Sequence, residues 1–93
     1  MKAISNLTES TSGVAYTAIA QHLAEYIKKY GVPFNNNTLF FVDNIDAVRD
    51  ILYIHYGIYN CLRVFNTLSS SNFGYDFTYT NRHGVESLSV TIN

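Results

Sequence analysis

Aromatic and polar residues alternate over residues 73–92, and this alternation restricts the fold more than any other feature of the chain. The first half has an aromatic residue at every second position: Phe73, Tyr75, Phe77 and Tyr79. Beyond the polar stretch 81–84, apolar residues continue the spacing: Leu88, Val90 and Ile92. Because successive side chains of a strand point to opposite faces, the pattern predicts a two-stranded antiparallel hairpin with one apolar, aromatic face.

Length and charge limit the classes of protein to consider. The chain has 93 residues, which suits one hydrophobic core and is too short for two, so we expect a single domain over 1–93. Charged residues make up 14%, against about 25% in typical soluble domains, and the net charge is −1. Because nucleic-acid affinity comes largely from neutralising phosphates, this balance argues against DNA or RNA as the partner. A weakly charged surface suits contact with another protein.

No signal for export or for membrane insertion is evident in the sequence. Cys61 is the single cysteine, so an internal disulfide cannot form. Met1 and Lys2 are not followed by an apolar run, and the apolar stretches are shorter than a membrane span. We therefore expect a cytoplasmic protein, in the host cytoplasm if the chain is viral.

Helical spacing is clearest near the N-terminus. Residues 13–30 carry apolar side chains at three- and four-residue steps: Tyr16, Ile19, Ala20, Leu23, Ile27 and Tyr30. This pattern predicts an amphipathic helix, which Gly31 and Pro33 should end. Thr11 or Ser12 is the expected N-cap. A short edge strand is expected at residues 2–7.

The middle of the chain predicts alternating elements. Residues 38–42 are β-branched and aromatic, which indicates a buried strand. Asp43 or Asn44 should cap a second helix that ends at Gly57. Residues 58–65 favour a third strand, although Tyr59, Leu62 and Phe65 also fit a helix, and residues 69–72 should turn the chain into the hairpin.

The element order is therefore (β)αβαβββ. Strand, helix and strand over residues 42–58 normally form a right-handed crossover between parallel strands. We expect an α+β fold in which two helices pack on one face of a mixed, mainly antiparallel four- to five-stranded sheet with a C-terminal β-meander. The aromatic ladder should pack against the helices, and the other face should be partly open to solvent. An exposed protein-binding face and a base-stacking platform are the alternative roles of the ladder.

Catalytic and metal-binding patterns are weak. Cys61 could pair with His55, or with His22 or His83, but its neighbours Tyr59, Leu62 and Val64 indicate a buried packing group. The histidines lack the spacing of metal ligands. The acids of the second helix, Asp43, Asp46 and Asp50, fit a solvated face. We expect no enzyme activity, no metal and no cofactor.

The tyrosines are the best candidates for contact residues, because a tyrosine buries a large ring while its hydroxyl still forms hydrogen bonds. The chain has 8 Tyr and 6 Phe. The predicted partner-binding set combines the end of the second helix with the hairpin tip: Tyr53, Tyr56, Tyr59, Asn81, Arg82 and His83. Arg82 could make a bidentate contact with a carboxylate or phosphate.

The expected function is a small non-enzymatic protein-binding module that occupies a surface of a larger protein partner. Chains of this size and type are often phage-encoded inhibitors of host defence complexes, such as anti-CRISPR proteins. An immunity protein or antitoxin, a small enzyme or ligand-binding domain with a cleft beside Cys61 and His55, and a single-stranded nucleic-acid-binding hairpin are the alternatives.

Overall fold

Three helices and four strands make up the part of the chain that the computed structural model describes, residues 13–35, 39–42, 44–70 and 72–92. The helices are α1 (Gly13–Tyr30), α2 (Ile45–Tyr56) and α3 (Cys61–Ser70). The strands are β1 (Val32–Asn35), β2 (Leu39–Val42), β3 (Asp76–Arg82) and β4 (Val85–Thr91). The predicted edge strand at residues 2–7, the caps Thr11 and Ser12, and Asp43 lie outside the described residues.

The sheet has the order β1-β2-β4-β3, and each of its three strand pairs is antiparallel. The α+β class is confirmed, whereas the prediction of a mixed sheet with a parallel crossover is wrong. After α2 the chain does not return as a strand beside β2. It continues into α3, and β4 later inserts between β2 and β3.

The prediction of a strand at residues 58–65 is wrong, because α3 begins at Cys61, within this range. Its buried residues have helical spacing: Cys61, Val64, Phe65 and Leu68. The Asn60 side chain accepts a hydrogen bond from the Arg63 amide over 3.4 Å, which satisfies a free N–H in the first turn. The β-branched and aromatic composition misled the prediction, since burial of one helical face outweighs local strand preference.

Two helices agree with the prediction. The bounds of α1 are those expected, and Gly31 follows it with its amide bonded to the Ile27 carbonyl at 2.7 Å. A Cβ at Gly31 would lie 2.5 Å from that oxygen, so only glycine fits there. Asn44 caps α2 by accepting from the Asp46 amide, and Gly57 ends it with φ +67°. Strand β1 was not predicted, and it tolerates Pro33 because it is an edge strand.

The two faces of the sheet differ. On the inner face, Phe40, Val90 and Phe77 form a cross-strand row and are buried. They belong to one core cluster with buried residues of all three helices, including Ile19, Leu52 and Phe65. Phe73, Tyr75 and Tyr79 pack against the same cluster, which confirms the core role of the aromatic ladder.

The buried ladder generates a first prediction. Phe77→Ala should lower the free energy of unfolding by about 3–5 kcal/mol, because it removes a core aromatic side chain. Thr78→Ala, on the outer face of the same strand, should cost less than about 1 kcal/mol. Urea unfolding measures both values. Equally small losses at the two positions would show that the ladder is not part of the core.

The helical state of α3 generates a second prediction. Leu68 is 0% exposed and Leu62 is 49% exposed on the same helix. Leu68→Ala should therefore cost about 2–5 kcal/mol, and Leu62→Ala less than about 1 kcal/mol. A larger loss at Leu62 in the same unfolding experiment would contradict the observed helical face.

Candidate functional site

Tyr53 and Tyr59 form an exposed aromatic pair where α2 turns towards α3. Their ring centroids are 5.0 Å apart, and the two residues are 52% and 80% exposed. Ile54 follows Tyr53 in α2 and Leu62 lies in the first turn of α3, and both are exposed. We call the surface formed by Tyr53, Ile54, Tyr59 and Leu62 the α2–α3 corner. It places four large side chains in solvent.

Local backbone bonds hold this corner. The Gly57 amide donates to the Tyr53 carbonyl and the Ile58 amide donates to the Leu52 carbonyl, both at 3.0 Å. The buried Ile58 anchors the connection to the core. A hydrogen bond with Tyr53 raises the pKa of the Tyr59 hydroxyl above its ordinary value. The backbone of the corner is therefore held by its own hydrogen bonds, which limits the entropy cost of ordering it on binding.

Tyr56 lies elsewhere. It is 5% exposed, and its hydroxyl shares a hydrogen bond of 2.8 Å with Nδ1 of His22 on α1. Burial raises the pKa of this hydroxyl. Tyr56 therefore joins α2 to α1 in the core and does not present a ring to a partner, unlike the other two tyrosines of the predicted set.

The hairpin tip is exposed and well defined. Residues His83 and Gly84 connect the strands with φ values of +56° and +83°, as in a type I′ turn. The Asn81 side chain accepts from the Gly84 amide at 3.1 Å, so one of its hydrogen-bonding groups is used within the turn. Arg82 ends β3 with its side chain in solvent.

An ion-pair network ties the hairpin to α2. Arg49 bonds to Glu86 of β4 and to Asp46, the second pair at 3.0 Å. The Tyr79 hydroxyl donates to Glu86 at 2.7 Å, and the bonds from Arg49 and Tyr79 lower the pKa of the Glu86 carboxyl. Arg49 lies in the N-terminal half of α2, whereas Tyr53 is nearer its C-terminal end. The network therefore fixes the hairpin against α2 one helical turn before Tyr53.

The outer face of the sheet is a third surface, and the predicted contact set did not include it. Phe34 is 69% exposed and its ring meets Phe41 at 6.2 Å between centroids. A depression of about 250 Å³ is lined by Phe34, Leu39, Phe41, Ser87 and Ser89. The sequence signal that could have identified this surface is the continuous apolar run 39–42, which places apolar side chains on both faces of one strand.

The cysteine and two of the histidines that were considered as catalytic or metal-binding residues make contacts typical of packing groups. Cys61 is 7% exposed, and burial raises the pKa of its thiol, so the reactive thiolate is disfavoured. The rings of His22 and His55 are 5.0 Å apart. Within the described ranges, no three His, Cys, Asp or Glu side chains are arranged to hold a metal ion.

None of the helices in the described part of the chain is both long and apolar enough to cross a membrane. No protein-family model, no curated protein and no solved structure matches the chain. The exposed surfaces and their chemistry are therefore the basis for proposing a function.

The contact between His22 and Tyr56 generates a third prediction. Burial, and then the neighbouring His55, lower the pKa of His22 below its ordinary value of 6.5. The folded state thus favours the neutral ring, so its contribution to stability is complete above about pH 6.5 and is lost as the pH falls through the lowered pKa.

The free energy of unfolding should therefore decrease between about pH 7 and pH 5.5, a window above most carboxyl titrations. His22→Gln should flatten this decrease. His83→Asn is the control, because asparagine also accepts the left-handed conformation of the turn. A pH dependence that His22→Gln leaves unchanged would contradict the assignment.

Proposed function

We propose that the chain is a non-enzymatic protein-binding module whose contact surface is the α2–α3 corner. One observation carries this proposal: Tyr53 and Tyr59 are exposed and their rings pack against each other in a tilted arrangement, with ring centroids 5.0 Å apart. Tyrosines are enriched among the few residues that supply most of the binding energy at protein interfaces. An exposed aromatic pair is typical of such an anchor.

The chemistry of the corner indicates the kind of partner. Ile54 and Leu62 add apolar area, and the two tyrosine hydroxyls can donate to backbone carbonyls or carboxylates. The partner surface should be apolar at its centre and should carry hydrogen-bond acceptors at its edge. Binding of this kind acts by occupying a surface of the partner. A phage-encoded inhibitor of a host defence complex, of the anti-CRISPR kind, works in this way, as do immunity proteins and antitoxins.

A capture experiment with matched variants tests the proposal as a fourth prediction. The full chain is immobilised and exposed to an extract of cells that naturally express it, and retained proteins are identified by mass spectrometry. The wild type and Tyr30→Ala should retain the same protein, and the double variant Tyr53→Ala/Tyr59→Ala should lose it. Tyr30 is a matched control, because it is an exposed tyrosine of another helix, α1, whose ring contacts that of Tyr26.

With the purified partner, each single corner variant should weaken binding by about 1–3 kcal/mol without a change in thermal midpoint. The affinity should change little with salt. A fall of roughly 10³-fold between about 50 and 200 mM salt, together with tight binding to single-stranded DNA or RNA, would replace this function with nucleic-acid binding. Equal retention by the wild type and the double variant would refute the corner as the contact surface.

A further inference from the structure

The outer face of the sheet is apolar and nearly free of charge. Its centre is formed by Phe34, Leu39 and Phe41, and Val32, which pairs with Phe41, extends it on β1. The helices pack on the opposite face. Phe34 and Val32 are exposed in the isolated chain. An apolar sheet face of this kind is commonly buried against a second sheet about 10 Å away.

The polar groups of this face are suited to a dry contact. Thr80 and Ser87 are cross-strand partners on it, and their hydroxyls bond to each other over 2.6 Å. A hydroxyl that is already paired loses less when water is removed. Ser89 lies beside Phe41 in the register between β2 and β4, so short side chains border the aromatic centre. They leave room for an opposing side chain.

The charges of this face complement the charges of an identical face on a second copy that is rotated by 180°. Among the described residues whose strand position places them on it, the charged ones are Asp76 and Arg82, at opposite ends of β3. Six residue steps along the strand separate them, which is about 20 Å. A two-fold axis perpendicular to the strands would lay β3 antiparallel across β3 of a second copy. Each Asp76 would then face the Arg82 of the second copy.

We infer that the outer face of the sheet is a self-association surface, on which a second copy of this chain packs antiparallel with Asp76 opposite Arg82. Identical faces repel each other when they carry one sign of charge. This face avoids that repulsion because its centre is uncharged and its ends have opposite signs. Because the four strands have only four to seven residues each, we expect the face to offer less area than a standard interface of about 800 Å² per partner, and hence a weak, concentration-dependent dimer. The inference does not depend on the α2–α3 corner.

Sedimentation equilibrium of the full chain at low salt, from about 10 µM to 1 mM, tests it as a fifth prediction. The wild type should pass from monomer to dimer across this range. Phe34→Asp should weaken the dimer by at least about tenfold, and its high exposure means that the fold should survive, as circular dichroism would verify. Tyr30→Asp, an exposed aromatic on α1, should leave the dimer unchanged.

Charge reversal tests the orientation. Asp76→Arg and Arg82→Asp should each weaken the dimer by about five- to thirtyfold, because each turns two attractions into repulsions. The double variant Asp76→Arg/Arg82→Asp should restore it, a result that loss of folding could not produce. A chain that remains monomeric at the highest concentration would overturn the inference. So would a dimer that Phe34→Asp leaves intact, or a double variant no stronger than the single ones.

Discussion

The pairing of β4 with both β2 and β3 is the constraint on which the rest of the structure depends. It brings Val90 between Phe40 and Phe77 and places Leu88 between Val42 and Tyr79. Leu88 and Val90 are 0% exposed, so β4 contributes two fully buried side chains to the core. The helices cover it from one side, with Phe65 of α3 against Tyr79 at 5.3 Å between centroids. Burial of this one face is the main favourable term in folding a chain of this size.

The three described helices lie on one face of the sheet, so the other face keeps apolar side chains that none of these helices covers. The α2–α3 corner arises from the same packing: Ile58 and Cys61 are buried to anchor the connection, and Tyr59 and Leu62 then point outward. The two surfaces lie on different parts of the molecule. The proposed contact at the corner and the proposed self-association through the sheet would therefore not exclude each other, and such a dimer would present two corners.

Sequence patterns predicted correctly those elements whose formation depends on interactions between residues close together in the chain. The bounds of α1 and the caps of α2 follow from helical spacing, Asn44 and Gly57, since these interactions join residues within one or two turns. The hairpin follows from strict alternation. The strand prediction for residues 58–65 failed because local strand preference and helical burial conflict there. The buried face of α3 was recognisable only after the core had been located. Antiparallel pairing of β2 with β4 joins residues about fifty positions apart in the chain, which no local pattern reports.

The three tyrosines of the predicted contact set show what the sequence determines and what only the tertiary structure determines. The sequence alone determined the elements at this end of α2, a helix stopped by Gly57 with aromatic residues on either side, because helix periodicity and glycine conformation are local properties. It could not determine which tyrosine is exposed. Packing of α1 against α2 decided that Tyr56 is buried against His22, and the turn into α3 decided that Tyr53 and Tyr59 meet in solvent. Exposure depends on what the rest of the chain covers, and only the tertiary structure contains that information.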